Sequence, residues 1–146
     1  MNIRFSSESP ASSKETLETL LYFNPHQNAV RDGIINSLEK FGQPRLVSLE
    51  GSLRILVGEH EPQTLFAFDT DRHATEPVGV AVFLRISNEE MALMHLAVHP
   101  DYALKHDGSN FGLGVELVEA VRRICTRIAG IKRLVLFYRR EVTLRC

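Results

Sequence analysis

Apolar positions along the chain switch between helical and strand spacing, and the switches mark its elements. Residues 3–6 read as a short first strand. Pro10 and Ala11-Ser12-Ser13 introduce a helix, with Ser12 or Ser13 as cap and Glu15 or Glu18 in its first turn. Its stripe is Leu17, Leu20, Leu21 and Tyr22, and Asn24-Pro25 ends it. Val30, Ile34, Ile35, Leu38 and Phe41 predict a second helix over 28–41, stopped by Gly42. The texture then changes to alternation. Leu46, Val47 and Leu49 lead into Glu50-Gly51, and Leu53, Ile55 and Val57 follow, which reads as a hairpin. Residues 64–68 form another strand, and a polar loop follows over 69–76. Residues 78–86 are apolar on both faces, as a central strand requires, and 91–98 are strand-like up to Pro100.

The last third carries a helix opening at Gly112 and Gly114. Leu113, Leu117, Val118, Val121, Ile124, Cys125 and Ile128 form its apolar face, and Glu116, Glu119, Arg123 and Arg127 its polar one. Glu119 and Arg123 have the favourable i,i+4 order, and Gly130 is the expected stop. A final strand runs over 134–138. Strand, glycine-bearing loop, helix and strand make a crossover unit, so the class is α/β or α+β. At 146 residues this is one domain, 1–146, with a helical part over 1–45 and a sheet over 46–146.

Composition sharpens the picture in two places. The formal net charge is only −1, yet residues 1–121 carry 9 Lys+Arg against 17 Asp+Glu, and residues 122–146 carry 8 against 1. An acidic body with a basic end points to a charged ligand or partner. Arg122, Arg123, Arg127, Lys132, Arg133, Arg139, Arg140 and Arg145 suit an anion, although solvation of a polar face also explains them. No aromatic platform or nucleic-acid motif accompanies them, so no nucleic-acid partner is expected. Cys125 and Cys146 lack metal-ligand spacing and are too few for a disulfide framework, so no metal and a reduced, cytoplasmic setting are expected. No apolar stretch spans a bilayer or reads as a signal peptide.

The candidate chemistry lies in Met94-His95-Leu96-Ala97-Val98-His99-Pro100, then Ser109-Asn110-Phe111-Gly112-Leu113-Gly114-Val115. Glycines at a helix start leave backbone N–H groups uncovered beside the positive helix end, an arrangement suited to phosphates. A P-loop is excluded because Val115-Glu116 follows Gly114, and a dinucleotide fingerprint because Leu117 replaces its third small residue. The alternative reading of the Gly112/Gly114 pair is close helix–strand packing with no ligand. His95 reads either as a general base or as a half-buried core histidine, with Leu93, His95 and Ala97 on one face. His99 and His106 are loop residues, and Glu89-Glu90 reads as a solvated turn or an attractor of cationic amines.

Leu96-Ala97-Val98-His99-Pro100-Asp101-Tyr102 at a strand end and Phe111-Gly112-Leu113-Gly114 at a helix start resemble the GNAT family of acyl-CoA-dependent N-acyltransferases, over about residues 64–138. The resemblance implies an α+β, three-layer fold with a mixed, mainly antiparallel sheet and helices on both faces. It implies acetyl-CoA as acyl donor, with the pantetheine arm along Leu96, Ala97 and Val98. The pyrophosphate would sit on the N–H groups of Ser109, Asn110, Phe111, Gly112, Leu113, Gly114 and Val115. It implies transfer to a primary amine, with His95 as candidate base and Tyr138 as candidate acid. The alternative is a catalytically inactive CoA-binding or protein-interaction module. Ser109 stands where the family has Arg or Gln, and the loop over 103–108 is long. Only eight residues follow Tyr138, where the family adds a helix and two strands, so binding is better founded than catalysis. An open apolar final strand is a hazard, and it is expected to be covered by a second copy in a homodimer, by residues 141–145 folding back, or by the N-terminal segment.

Overall fold

The computed structural model describes residues 2–22, 44–72, 75–102, 112–136 and 142–146. The helix expected over 28–41, the loop residues Ser109, Asn110 and Phe111, and Tyr138 lie outside the described residues. The elements are β1 (Ile3–Ser6), a 3-10 turn (Ala11–Ser13), α1 (Lys14–Tyr22), β2 (Pro44–Leu49), β3 (Ser52–Val57), β4 (Gln63–Asp69), β5 (Gly79–Arg85), β6 (Glu90–Val98), a 3-10 turn (Pro100–Tyr102), α2 (Leu113–Thr126), β7 (Arg133–Leu136) and β8 (Val142–Arg145). Six strands form one sheet in the order β1-β4-β5-β6-β7-β8, antiparallel except for the β6/β7 pair. The parallel pair is joined through α2, as a crossover requires. The β2–β3 hairpin stands apart from that sheet. Its turn places Glu50 at φ 52 and Gly51 at φ 81, the left-handed pair that matches strand twist.

Both faces of the sheet are covered, which explains the continuous apolar run in β5. Leu65, Ala67, Ala81, Phe83, Met91, Leu93, Leu134 and Leu136 pack against Leu113, Leu117, Val121 and Cys125 of α2. Phe66, Phe68, Val80, Val82, Ala92, Met94 and Val135 pack against Leu17 and Leu20 of α1 and Leu53, Ile55 and Val57 of the hairpin. The result is a mixed, mainly antiparallel sheet with a helix on each face, the α+β arrangement expected.

A bulge in β6 changes which side chains share a face. Val82 pairs with His95 but Phe83 pairs with Leu93, so Met94 is one extra residue in the ladder. Before the bulge, Met91 and Leu93 face α2. After it, Ala97 faces α1, while Leu96 and Val98 pack on the α2 side. His95 lies opposite Val82 and so faces α1. The expectation that Leu93, His95 and Ala97 share a face is therefore corrected: the inserted residue shifts the period by one.

Other local expectations are corrected by competing hydrogen bonds. The Ser13 hydroxyl donates to the Thr75 carbonyl oxygen at 2.9 Å instead of capping α1. Glu119 pairs with Arg122 at 3.4 Å, not with Arg123. α2 ends at Thr126, and Gly130, at φ 88, serves the turn into β7. The open edge of β7 is closed by the chain itself. β8 pairs antiparallel with it, Leu134 opposite Leu144 and Leu136 opposite Val142, so the fold-back takes the place expected for a homodimer partner.

Candidate functional site

The strand end and the helix start come together. Gly112 is the cap of α2 in an extended conformation, and the first helical bonds run from Val115 and Glu116 N–H to its carbonyl. The N–H groups of Leu113 and Gly114 precede that first bond, at the positive end of the helix. A Cβ on Gly114 would lie 3.7 Å from Leu96 Cδ2 and 3.8 Å from Val98 Cγ2. Gly114 thus sits directly over the two strand residues that the sequence joins to it. Those distances are ordinary contact, so packing does not demand glycine there. The close helix–strand approach falls instead on Gly79 of β5, which the sequence reading missed. A Cβ there would meet Leu117 Cδ1 at 2.9 Å and Leu113 Cδ2 at 3.1 Å.

The ladder sets the direction of the β6 backbone. His99 N–H donates to Val78 O at 2.8 Å, and hydrogen-bonded pairs alternate along an antiparallel ladder. Ala97 therefore addresses Val80 of β5, while the N–H and C=O groups of Leu96 and Val98 point away from β5, towards the β7 side. Described β7 pairs with Glu90 to Leu93, and β6 runs on to Val98 beyond that register.

On the α1 side of the same strand end lies a groove of about 490 Å3. Its walls include Glu15, Thr16 and Thr19 of α1, Glu76, and His99 with Pro100. The Thr16 hydroxyl donates to Glu76 Oε2. His99 Nδ1 accepts the Asp101 N–H at 3.1 Å and its ring stands 6.0 Å from that of Tyr102, nearly perpendicular. These residues are far apart in sequence, so no local signal announced the groove. His95 is 7% exposed beneath α1 and does not line this groove, whereas His99 does.

Asp69 and Tyr102 fix the position of the turn that leaves β6. The Tyr102 hydroxyl donates to Asp69 Oδ2 at 2.5 Å, and both residues are buried. The Tyr102 hydroxyl, backed by the Asp71 N–H, holds the Asp69 carboxyl below the usual range despite its burial. Burial, and then the Asp69 carboxylate, push Tyr102 up to about 12.

The other sequence candidates lie elsewhere. Glu89 pairs with Lys132 at 3.2 Å and Arg133 at 3.1 Å, and Glu90 with Arg133 at 3.5 Å. Lys132 and Arg133 hold the Glu89 carboxyl below its ordinary value. This ion-pair group is at the opposite end of β6, roughly 25 Å of strand from Val98. Arg123 lies roughly 14 Å along α2 from Gly114, and Arg122 Nε donates to Arg145 O at 2.7 Å. Arg122, Arg123, Lys132, Arg133 and Arg145 of the basic end are therefore placed away from the helix start. Among the described residues, no group of three or more His, Cys, Asp or Glu is placed to hold a metal ion, and no helix is long and apolar enough to cross a membrane.

No protein-family model matches the chain, and no curated protein matches it. Among solved structures, it resembles a GNAT family acetyltransferase from Elizabethkingia anophelis, determined with acetyl-CoA bound, at 16% identity and TM-score 0.49. That match covers 92% of this chain and 64% of the other, so this chain spans less than two thirds of that protein. It also resembles an acetyltransferase from Streptococcus agalactiae at 15% identity and TM-score 0.52, over 92% of this chain and 71% of that one. At such identity the likeness speaks for the fold alone. Taken with the strand order and the parallel β6/β7 pair joined through α2, the second likeness shows that the chain shares the fold of that acetyltransferase.

Proposed function

We propose that this protein is an N-acyltransferase that moves an acetyl group from acetyl-CoA to a primary amine. The observation that carries the proposal is the placement of two features around one strand end. Gly114 of the helix start lies over Leu96 and Val98, and a groove bearing Glu15, Glu76 and His99 opens on the α1 side. The residues present fit the donor. Leu96 and Val98 lie on the strand end proposed to run beside an extended amide-bearing arm, and Leu113 and Gly114 offer N–H groups to a pyrophosphate. Ala97, Val115, and Ser109, Asn110 and Phe111 from outside the described residues complete the proposed donor site. The carboxylates of the groove suit an acceptor that arrives as a cation.

In the reaction the acceptor ammonium first loses a proton. His99 lines the groove and is the candidate to take that proton at Nδ1, in exchange for the hydrogen bond it accepts there from the Asp101 N–H, and His95, buried behind the strand end, is the candidate for a route relayed through water. The amine nitrogen then attacks the thioester carbonyl. A β6 N–H steadies the oxyanion, and the thiolate leaves as the amide forms. Tyr138 is proposed to protonate that thiolate. Tyr102 is poorly suited to this role, because its hydroxyl proton is held by Asp69.

Calorimetric titration with acetyl-CoA, followed by free-thiol release across a panel of amines, tests the proposal. Saturable binding with amine-dependent thiol release is expected. No binding overturns the donor site, and binding without thiol release assigns the protein to the CoA-binding modules.

A further inference from the structure

The fold brings the two cysteines together although 20 residues separate them in the chain. Cys125 lies on the inner face of α2, fully buried, and Cys146 follows β8 and packs partly buried on the same core. Two contacts fix this approach. Cys146 N–H donates to Lys132 O at 2.9 Å, and Arg122, one helical turn before Cys125, holds Arg145 O at 2.7 Å. Cys146 is the neighbour that acts on the Cys125 thiol, and neither cysteine is in a disulfide.

We propose that Cys125 and Cys146 are a modification site, a dithiol that closes to an intrachain disulfide when it meets a low-molecular-weight disulfide such as oxidised glutathione. Cys146 is the sulfur accessible to the reagent. Its thiol loses a proton, its sulfur attacks the reagent, and the reagent S–S bond breaks to release one thiolate. Cys125 then loses its proton and attacks Cys146 Sγ, breaking the mixed disulfide and releasing the second thiolate. The two released thiolates take up the two protons, and two electrons pass from the protein to the reagent. Burial, and then the neighbouring Cys146, push the Cys125 thiol up to about 12. The second step is therefore the slow one, offset by the contact that holds the sulfurs together.

The bond would tie β8, which closes the edge of β7, to the helix that begins at the proposed donor site. A closed loop of roughly twenty residues is long enough for a clear gain in stability.

The test is incubation of the full chain in glutathione buffers of stepped redox ratio, read by intact mass, maleimide labelling after unfolding, and thermal melting. The oxidised chain is expected to lose about 2 Da, to react with no maleimide and to remain at monomer mass. Its Tm is expected to rise by about 5–10 °C and to return on reduction. Cys146→Ser is expected to keep one protected thiol and to gain no Tm. Cys125→Ser, which changes a core position, is expected to stop at the glutathione adduct of Cys146. A wild-type chain that accumulates that adduct with Cys125 still labelled overturns the proposal. So does a disulfide-linked dimer on a non-reducing gel.

Discussion

Gly79 faces α2 and Gly114 belongs to it, and the two answer to different constraints. At Gly79 an added methyl meets two leucine side chains that are themselves locked in the core. Gly79→Ala should cost about 1–2 kcal/mol in urea unfolding. Gly114→Ala meets only ordinary contacts and should leave stability within about 0.5 kcal/mol or raise it slightly, since alanine favours a helix. Its effect should fall on acetyl-CoA instead, with a roughly tenfold rise in Kd by calorimetry. Equal Kd values for Gly114→Ala and wild type would remove the helix start from the donor site. The two histidines separate in the same manner. His99→Ala should lower kcat by about 10²-fold with little change in Tm, whereas His95→Ala, in a buried position, should lower Tm first. A larger kcat loss for His95→Ala would make the relayed route the principal one.

The β6 strand and the turn that ends it show how elements hold the site. The Asp69–Tyr102 hydrogen bond ties that turn to the end of β4, and its titration has a defined sign. The folded-state pKa of Asp69 is depressed, so its contribution is present above the ordinary value of 3.8 and is lost as pH falls below it. The folded-state pKa of Tyr102 is raised, so its contribution is present below 10.0 and is lost as pH climbs towards 12. Tyr102→Phe should flatten both limbs of a Tm-against-pH curve, and Asp69→Asn should flatten the acid limb. Unchanged limbs in both variants would show that the pair does not set the pH dependence. Much of this scaffold was legible beforehand. Alternation marked β3, a hairpin reading placed β2 before it, a run apolar on both faces marked β5, and the stripe from Leu113 to Cys125 marked α2. The bulge was not legible, because β6 is buried on both faces and its one interior polar residue, His95, cannot by itself report which face each position takes. The short, half-polar β8 was recognised only as one possible cover for β7, since edge strands bury too little to leave a pattern. The groove was missed because α1, Glu76 and His99 meet only in three dimensions.

At the scale of the whole molecule, the order β1-β4-β5-β6-β7-β8 puts the β6/β7 junction next to the strand that closes the sheet. Leu134, Val135 and Leu136 are each less than a tenth exposed, and Leu144 packs onto the core that Leu134 and Leu136 share with α2. Removing residues 142–146 would uncover an apolar edge whose hydrogen-bonding groups are set out for another strand. The expected outcome is concentration-dependent self-association in sedimentation velocity, with a loss of about 2–4 kcal/mol from the uncovered apolar surface and the broken ladder. The milder change Leu144→Asp keeps the backbone ladder and should cost stability without comparable association. If the truncated chain sediments as the intact one does at every concentration, β8 is not what protects the edge. The same comparison bears on function, because Glu90 to Leu93 pair with β7 and the residues proposed to bind the donor follow directly along the same strand. Loosening β7 should therefore weaken acetyl-CoA binding in step with stability, whereas His99→Ala should slow turnover and leave that binding unchanged.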